Sequence, residues 1–218
     1  MVVEKNVGIT ERIFDNHYNR GYMPPYRSFT ELSENEVAGA DYRIDKRQGD
    51  SGIAVMAVHG GGIEPGVTQI ADAVANRRHS FYSFSGLKKN GNRALHITST
   101  RFDEPQALTL AAENHTVVTI HGCRDLQAVV YTGGLNTSLK NRIDQALNNA
   151  GFRVGNATHL PGIHRLNICN RCLSGGGVQL EISTGLRRLL YGTPVRACNL
   201  KPTPVFNRFV DVLKSALA

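Results

Sequence analysis

The chain runs to 218 residues, 41% of them apolar and 20% charged, with a formal charge of +7 and a pI near 9.4. That length suffices for the core of one ordinary α/β domain, and no apolar run approaches the roughly 20 residues that a membrane helix requires. The positive balance favours a polyanionic partner, but the basic residues are dispersed, densest only at Lys88, Lys89 and Arg93 and at Arg187 and Arg188, which argues against nucleic acid.

Residues 1–25 are polar, end in Met23-Pro24-Pro25 and show no sustained period. They read as an extension ahead of a single domain spanning residues 26–218. Met1 to Asn19 lacks the apolar stretch of a signal peptide, so synthesis in the cytoplasm is expected. Ile53 to Val58 is an apolar run of strand length, followed by the breaker cluster Gly60-Gly61-Gly62. Val67, Ile70, Ala71 and Val74 then recur at helical spacing and predict a helix from about Gly66 to Asn76.

The alternation continues. Ser80 to Phe84 and Ala94 to Thr98 read as strands, and Asp103 is placed to cap a helix that runs through Pro105, Leu108 and Ala111 to about Asn114. Thr116 to Ile120 is β-branched and apolar, as a strand buried on both faces requires. Gln127 to Tyr131 reads as a strand and Asn136 to Ala150 as a helix stopped by Gly151. Val178 to Ile182 is a further strand, and Phe206, Phe209, Val210, Leu213 and Leu217 line a last helix. The sum is an α/β fold: one open, mostly parallel or mixed sheet with helices on both faces, binding its ligand beyond the carboxyl ends of the strands.

His59 and His121 each close a buried-type strand and each precede a glycine. Glu64 follows His59 by five residues, across a glycine loop that allows the chain to turn back. Two imidazoles and a carboxylate with an open fourth position are the usual ligands of a hydrolytic zinc site, although Glu64 is equally well placed to cap the helix that follows. Glu181 shares one face of its strand with Gln179, opposite the apolar residues. A carboxylate facing inward there has to be paired or functional, and desolvation would raise its pKa toward that of a general base. Of the other histidines, only His96 falls near this edge. Arg93, Arg101 and Arg171 are the candidate forks for an anionic substrate's carboxylates.

Several familiar patterns lead nowhere. His59-Gly60-Gly61-Gly62 copies a lipase oxyanion loop, but no Gly-x-Ser-x-Gly follows it. Gly49-Asp50-Ser51-Gly52 echoes a serine-protease segment and reads as a turn. Nucleotide-binding fingerprints are absent. Cysteines 123, 169, 172 and 198 are too few for a disulfide framework, and the Cys169–Cys172 spacing lacks a second pair to complete a structural zinc site.

Ala57-Val58-His59-Gly60-Gly61-Gly62-Ile63-Glu64-Pro65-Gly66, Leu95 to Pro105, Ile120-His121-Gly122, Gly133 to Asn136, Asn170-Arg171-Cys172 and Gly177 to Ser183, in that order, resemble the poly-γ-glutamate hydrolases of bacteriophages and their Bacillus hosts. The resemblance covers about Tyr26 to Leu190. It implies a core similar to zinc carboxypeptidases, one zinc ion held by His59, Glu64 and His121, and Glu181 as the catalytic carboxylate that activates water. It also implies the substrate, an anionic polymer cut at its γ-glutamyl amide bonds, reached outside the cell after host lysis. The spacing departs from carboxypeptidases, which hold two residues between their first His and Glu where this chain holds four. Two other classes fit the residues less fully: a deacylase of a small N-acyl acidic amino acid, and a non-catalytic polyanion binder.

Overall fold

The structure, a computed structural model, describes residues 25–192, 195 and 200–218. Most of the extension and Cys198 therefore lie outside the described residues.

The chain begins with helix α1 (Phe29–Asn35), strand β1 (Tyr42–Arg47), strand β2 (Ile53–Gly61), helix α2 (Val67–Ala75) and strand β3 (Ser80–Gly86). Helix α3 (Pro105–Glu113), strand β4 (Thr116–Cys123), strand β5 (Val130–Gly133) and helix α4 (Thr137–Asn149) follow. Strand β6 (Val154–Asn156), strand β7 (Val178–Ser183), helix α5 (Thr184–Tyr191) and helix α6 (Pro204–Leu217) complete it. The seven strands form one sheet in the order β1-β3-β2-β4-β7-β5-β6. β3, β2, β4 and β7 run parallel, β1 and β5 are antiparallel to their inner neighbours, and β6 pairs parallel with β5. The sheet is thus mixed, with a parallel centre.

Alternation divides the strands between two cores. Val55, Ala57, Val118, Ile120, Val178, Leu180 and Ile182 pack with the apolar stripes of α2, α4, α5 and α6. Ala54, Met56, Val58, Val117, Tyr82 and Phe84 point the other way, onto Leu32 of α1, Ala107, Leu110 and Ala111 of α3, and buried loop residues. The central strands are therefore covered on both faces, which explains why β4 reads as a continuous apolar run.

Three local expectations change, the mildest being the strand expected over Gln127 to Tyr131, which runs over Val130–Gly133. Ala94 to Thr98 contains no strand; Asn92–Leu95 is a 3₁₀ turn and an extended loop follows. Leu95 and Ile97 both bury into the second core, and this imitates strand alternation without a neighbouring ladder. Glu104, not Asp103, caps α3: its carboxylate accepts hydrogen bonds from the Gln106 and Ala107 amides, while Asp103 accepts from the Phe29 amide and ties α1 to the domain. The short elements α1, β1 and β6 lack the sustained period that makes a segment legible, and α5, though amphipathic, spans only eight residues.

Candidate metal centre and active site

β2, β4 and β7 lie side by side and parallel, so their carboxyl ends share one edge of the sheet. His59 and His121 sit near the ends of β2 and β4, and Glu181 is the register partner of His121 on β7. Register partners in a parallel pair present side chains to the same face, which joins His121 and Glu181.

His59 reaches that face through an irregularity. The β2–β3 register runs Ala57 to Ser83 and then Gly60 to Ser85, so Val58 and His59 together oppose the single residue Phe84. Two residues against one is a β-bulge, and it turns His59 onto Val58's face. Gly60 permits this. A Cβ there would collide with the hydroxyls of Thr68, Ser83 and Ser85, which form their own hydrogen-bond cluster.

The chain then doubles back. The Ile63 amide donates to the Gly60 carbonyl and the Glu64 amide to the His59 carbonyl, with Gly61 at φ 61°. This hairpin returns the Glu64 carboxylate to 3.2 Å from His59 Nδ1 and 3.8 Å from His121 Nδ1. Its other hydrogen bond comes from the Gly122 amide, 2.7 Å from Oε2. The helix-cap alternative is thereby removed. α2 has Gly66, at φ 99°, in its N-cap position and no side chain capping it.

His59, Glu64 and His121 offer ligand atoms that all lie within 4.8 Å of one another, the one His/Cys/Asp/Glu group of that kind among the described residues. The donor chemistry fits a cation. The Ile97 carbonyl, 2.7 Å from His59 Nε2, can only accept, so Nε2 carries a hydrogen and Nδ1 is the ring atom turned toward Glu64. Burial and the neighbouring His59 push His121 down to about 3, so its imidazole is neutral at physiological pH. Burial would raise the Glu64 carboxyl, but His59, His121 and His96 outweigh it and hold it at about 2. Two buried imidazoles and a carboxylate held ionised thus converge, a donor set that fits a divalent ion.

His96, the other histidine expected near this edge, stacks on His59 with ring centroids 3.9 Å apart. Its Nε2 lies 3.8 Å from Glu64. Glu181 is 6% exposed, and burial followed by the Glu64 charge drives its pKa well above the ordinary carboxylate value. A cavity of about 250 Å³ opens beside it, walled by Tyr131, Asn156, Thr158, His159 and Leu160, with Cys123 also in the lining.

The three predicted arginines lie outside the strands. Arg93 lies in the 3₁₀ turn, where its charge acts on His96. Arg101 ends the turn that starts at Thr98, and Arg171 caps a second 3₁₀ turn, Ile168–Asn170. These segments do frame the site: Ile97 orients His59, and the Ser99 carbonyl accepts from the Ile168 amide. Cys169 and Cys172 are buried thiols bonded to the Gly162 and Cys169 carbonyls. Ser51 Oγ does meet a histidine, His79, at 2.6 Å, but at the amino-terminal edge of the strands, away from the cavity.

Sequence reasoning missed Arg187, which counted only as part of a basic pair. It is 7% exposed, and its guanidinium donates to the carbonyls of Ile182, Pro65 and Cys123. It therefore clips the end of the Glu64 loop to the ends of β7 and β4. Gly122 admits it, since a Cβ there would lie 2.9 Å from the guanidinium carbon. The signal available in the sequence was its place in the amphipathic turn after β7, which resembles any surface arginine.

This architecture has relatives. A bacteriophage poly-γ-glutamate hydrolase superposes with a TM-score of 0.82 at 35% identity, covering 88% of this chain and 95% of the phage protein. The zinc-free apo form of YndL gives 0.78 at 35% identity, covering 88% and 96%. YoqZ, a protein derived from the SPbeta prophage of Bacillus subtilis strain 168, is 36% identical over 192 residues, 86% of this chain and 69% of YoqZ. The family model described as poly-γ-glutamate hydrolase matches residues 26–212, and this chain belongs to that family.

Proposed function

We propose that this chain is a zinc hydrolase that cleaves the γ-glutamyl amide bonds of poly-γ-glutamate. The observation that carries the reading is the convergence of His59, Glu64 and His121 beside the buried carboxylate of Glu181, in a member of this family. The zinc-free form of YndL supports zinc as the ion, and the phage hydrolase supports the polymer as substrate.

In this reading His59, His121 and Glu64 would hold the metal. A zinc ion held there would supply Lewis-acid polarisation of the carbonyl and would lower the pKa of water to about 7. Glu181 accepts a proton from the attacking water as its oxygen bonds to the amide carbon. When the C–N bond breaks, Glu181 returns that proton to the departing nitrogen, giving a carboxylate and an amine. The cavity beside Glu181 accommodates one flank of the scissile bond. Arg93, Arg101 and Arg171 engage the polymer's carboxylates, and the +7 charge gathers the chain from solution. Residues 26–218 form the catalytic domain and residues 1–25 an extension of it. The phage and prophage relatives support action on polymer outside the cell after lysis. Among the described residues no helix is long and apolar enough to cross a membrane.

The direct test follows polymer size against time with and without chelator, with a small N-acylglutamate as a parallel substrate. A fall in polymer length that chelator stops and zinc restores is expected. Unchanged polymer, or cleavage confined to the small amide, overturns the reading.

A further inference from the structure

Glu181 is approached from its own strand by a chain of buried amides whose polarity is fixed at the far end. The Cys169 backbone amide donates to Asn167 Oδ1 at 3.1 Å. A backbone N–H can only donate, so that end of the Asn167 amide is its oxygen and the other end must be a donor. Asn167 Nδ2 then donates to Gln179 Oε1 at 2.9 Å, which leaves Gln179 Nε2 to face Glu181. Nε2 donates to Glu181 Oε1 at 3.0 Å and to the Leu160 carbonyl at 3.3 Å. Asn167, Gln179 and Glu181 are at most 6% exposed, so water does not compete for these bonds. Gly162, at φ 63°, allows the loop to pass over Gln179, where a Cβ would lie 3.1 Å from Gln179 Cβ.

We infer that Gln179, set by Asn167, is a positioning residue that occupies Glu181 Oε1 and assigns proton transfer to Oε2. Among the described residues Oε2 has no hydrogen-bond partner, and Glu181, the register partner of His121, lines the cavity. Were the Gln179 amide to rotate by half a turn, its oxygen would face a carboxylate oxygen and repel it. The backbone amide of Cys169 prevents this through Asn167. One carboxylate oxygen is therefore fixed and the other kept available, so Glu181 enters each cycle in one orientation. The inference rests on Glu181 being the proton carrier proposed above.

Gln179→Met keeps the side chain's length and removes the donor. With zinc-loaded protein and poly-γ-glutamate, kcat is expected to fall roughly 10- to 100-fold, as for other groups that orient a working side chain, with KM within about two-fold and zinc content unchanged. Asn167→Asp, which still accepts from Cys169 but cannot donate to Gln179, is expected to act in the same direction. The infrared carboxylate band assigned to Glu181, by difference from Glu181→Gln, is expected to shift in both variants, and this readout needs no substrate. Folded, zinc-loaded variants with wild-type kcat, or with an unshifted band, would overturn the inference. If the wild-type protein leaves the polymer intact, the proposed function fails while the band shift still decides the positioning.

Discussion

The Nδ1 atoms of His59 and His121 face each other 3.0 Å apart, although the β2–β4 register pairs odd-numbered positions of β2 with even-numbered ones of β4. Strict alternation would send His59 to the opposite face from His121. The bulge at Val58 and His59 reverses it, and Gly60 makes room for the bulge.

Gly60→Ala should therefore disturb the metal centre without touching a ligand. Its Cβ would force apart Thr68, Ser83 and Ser85 beneath the loop. The expected outcome is zinc affinity reduced by 10-fold or so, measured by competition with a chromogenic chelator. Wild-type affinity in a folded Gly60→Ala protein would refute the dependence.

Removing a ligand should remove the ion. His59→Ala and His121→Ala are each expected to contain well under one zinc per chain by elemental analysis after dialysis, and to lose polymer cleavage. Tightly bound stoichiometric zinc in His121→Ala would contradict the assignment.

Glu181→Gln separates metal binding from proton transfer. Positioned general bases contribute about 10²- to 10⁴-fold, so kcat should drop by that order while zinc content stays at the wild-type value. Near-normal turnover would eliminate Glu181 as the base.

Arg187→Met removes three guanidinium hydrogen bonds, to the Pro65, Cys123 and Ile182 carbonyls, and with them the clip that joins these segments. A stability loss of about 3 kcal/mol is expected from urea unfolding of the metal-free protein, together with weaker zinc binding because the Glu64 loop loses its anchor. Arg187→Lys, with one donor group in place of a fork, should recover only part of either.

The metal-free protein should lose stability on mild acidification. Burial and His59 depress His121 from 6.5 to about 3, so below 6.5 the unfolded chain takes up a proton that the folded chain refuses. This contribution is fully present above 6.5 and is lost progressively as the pH falls toward 3. The raised Glu181 carboxyl acts in the opposite sense, so urea midpoints of chelator-treated Glu181→Gln protein near neutrality and at about pH 5 provide the check, and equal midpoints would contradict it.

The amino-acid sequence by itself determined the parts of this protein that rest on local periodicity and local chemistry. The apolar stripe of α2, the β-branched run of β4 and the Asn136–Gly151 boundaries of α4 are all readable because each element's burial repeats along its own length. His59 and His121 stood out for the same reason, as polar residues closing apolar runs. Tertiary structure alone decided the role open to Glu64: helix cap and metal ligand are equivalent in sequence, and the choice was made by the Gly122 amide and the two imidazoles that the hairpin brings to it. It likewise decided that Ala94 to Thr98 forms no strand, because a ladder depends on a neighbour and not on alternation. Arg187 and the Asn167–Gln179–Glu181 chain stayed hidden because their partners are backbone groups and amides distant in sequence. No side-chain pattern along the chain encodes which carbonyl will lie within 3 Å once the sheet has formed.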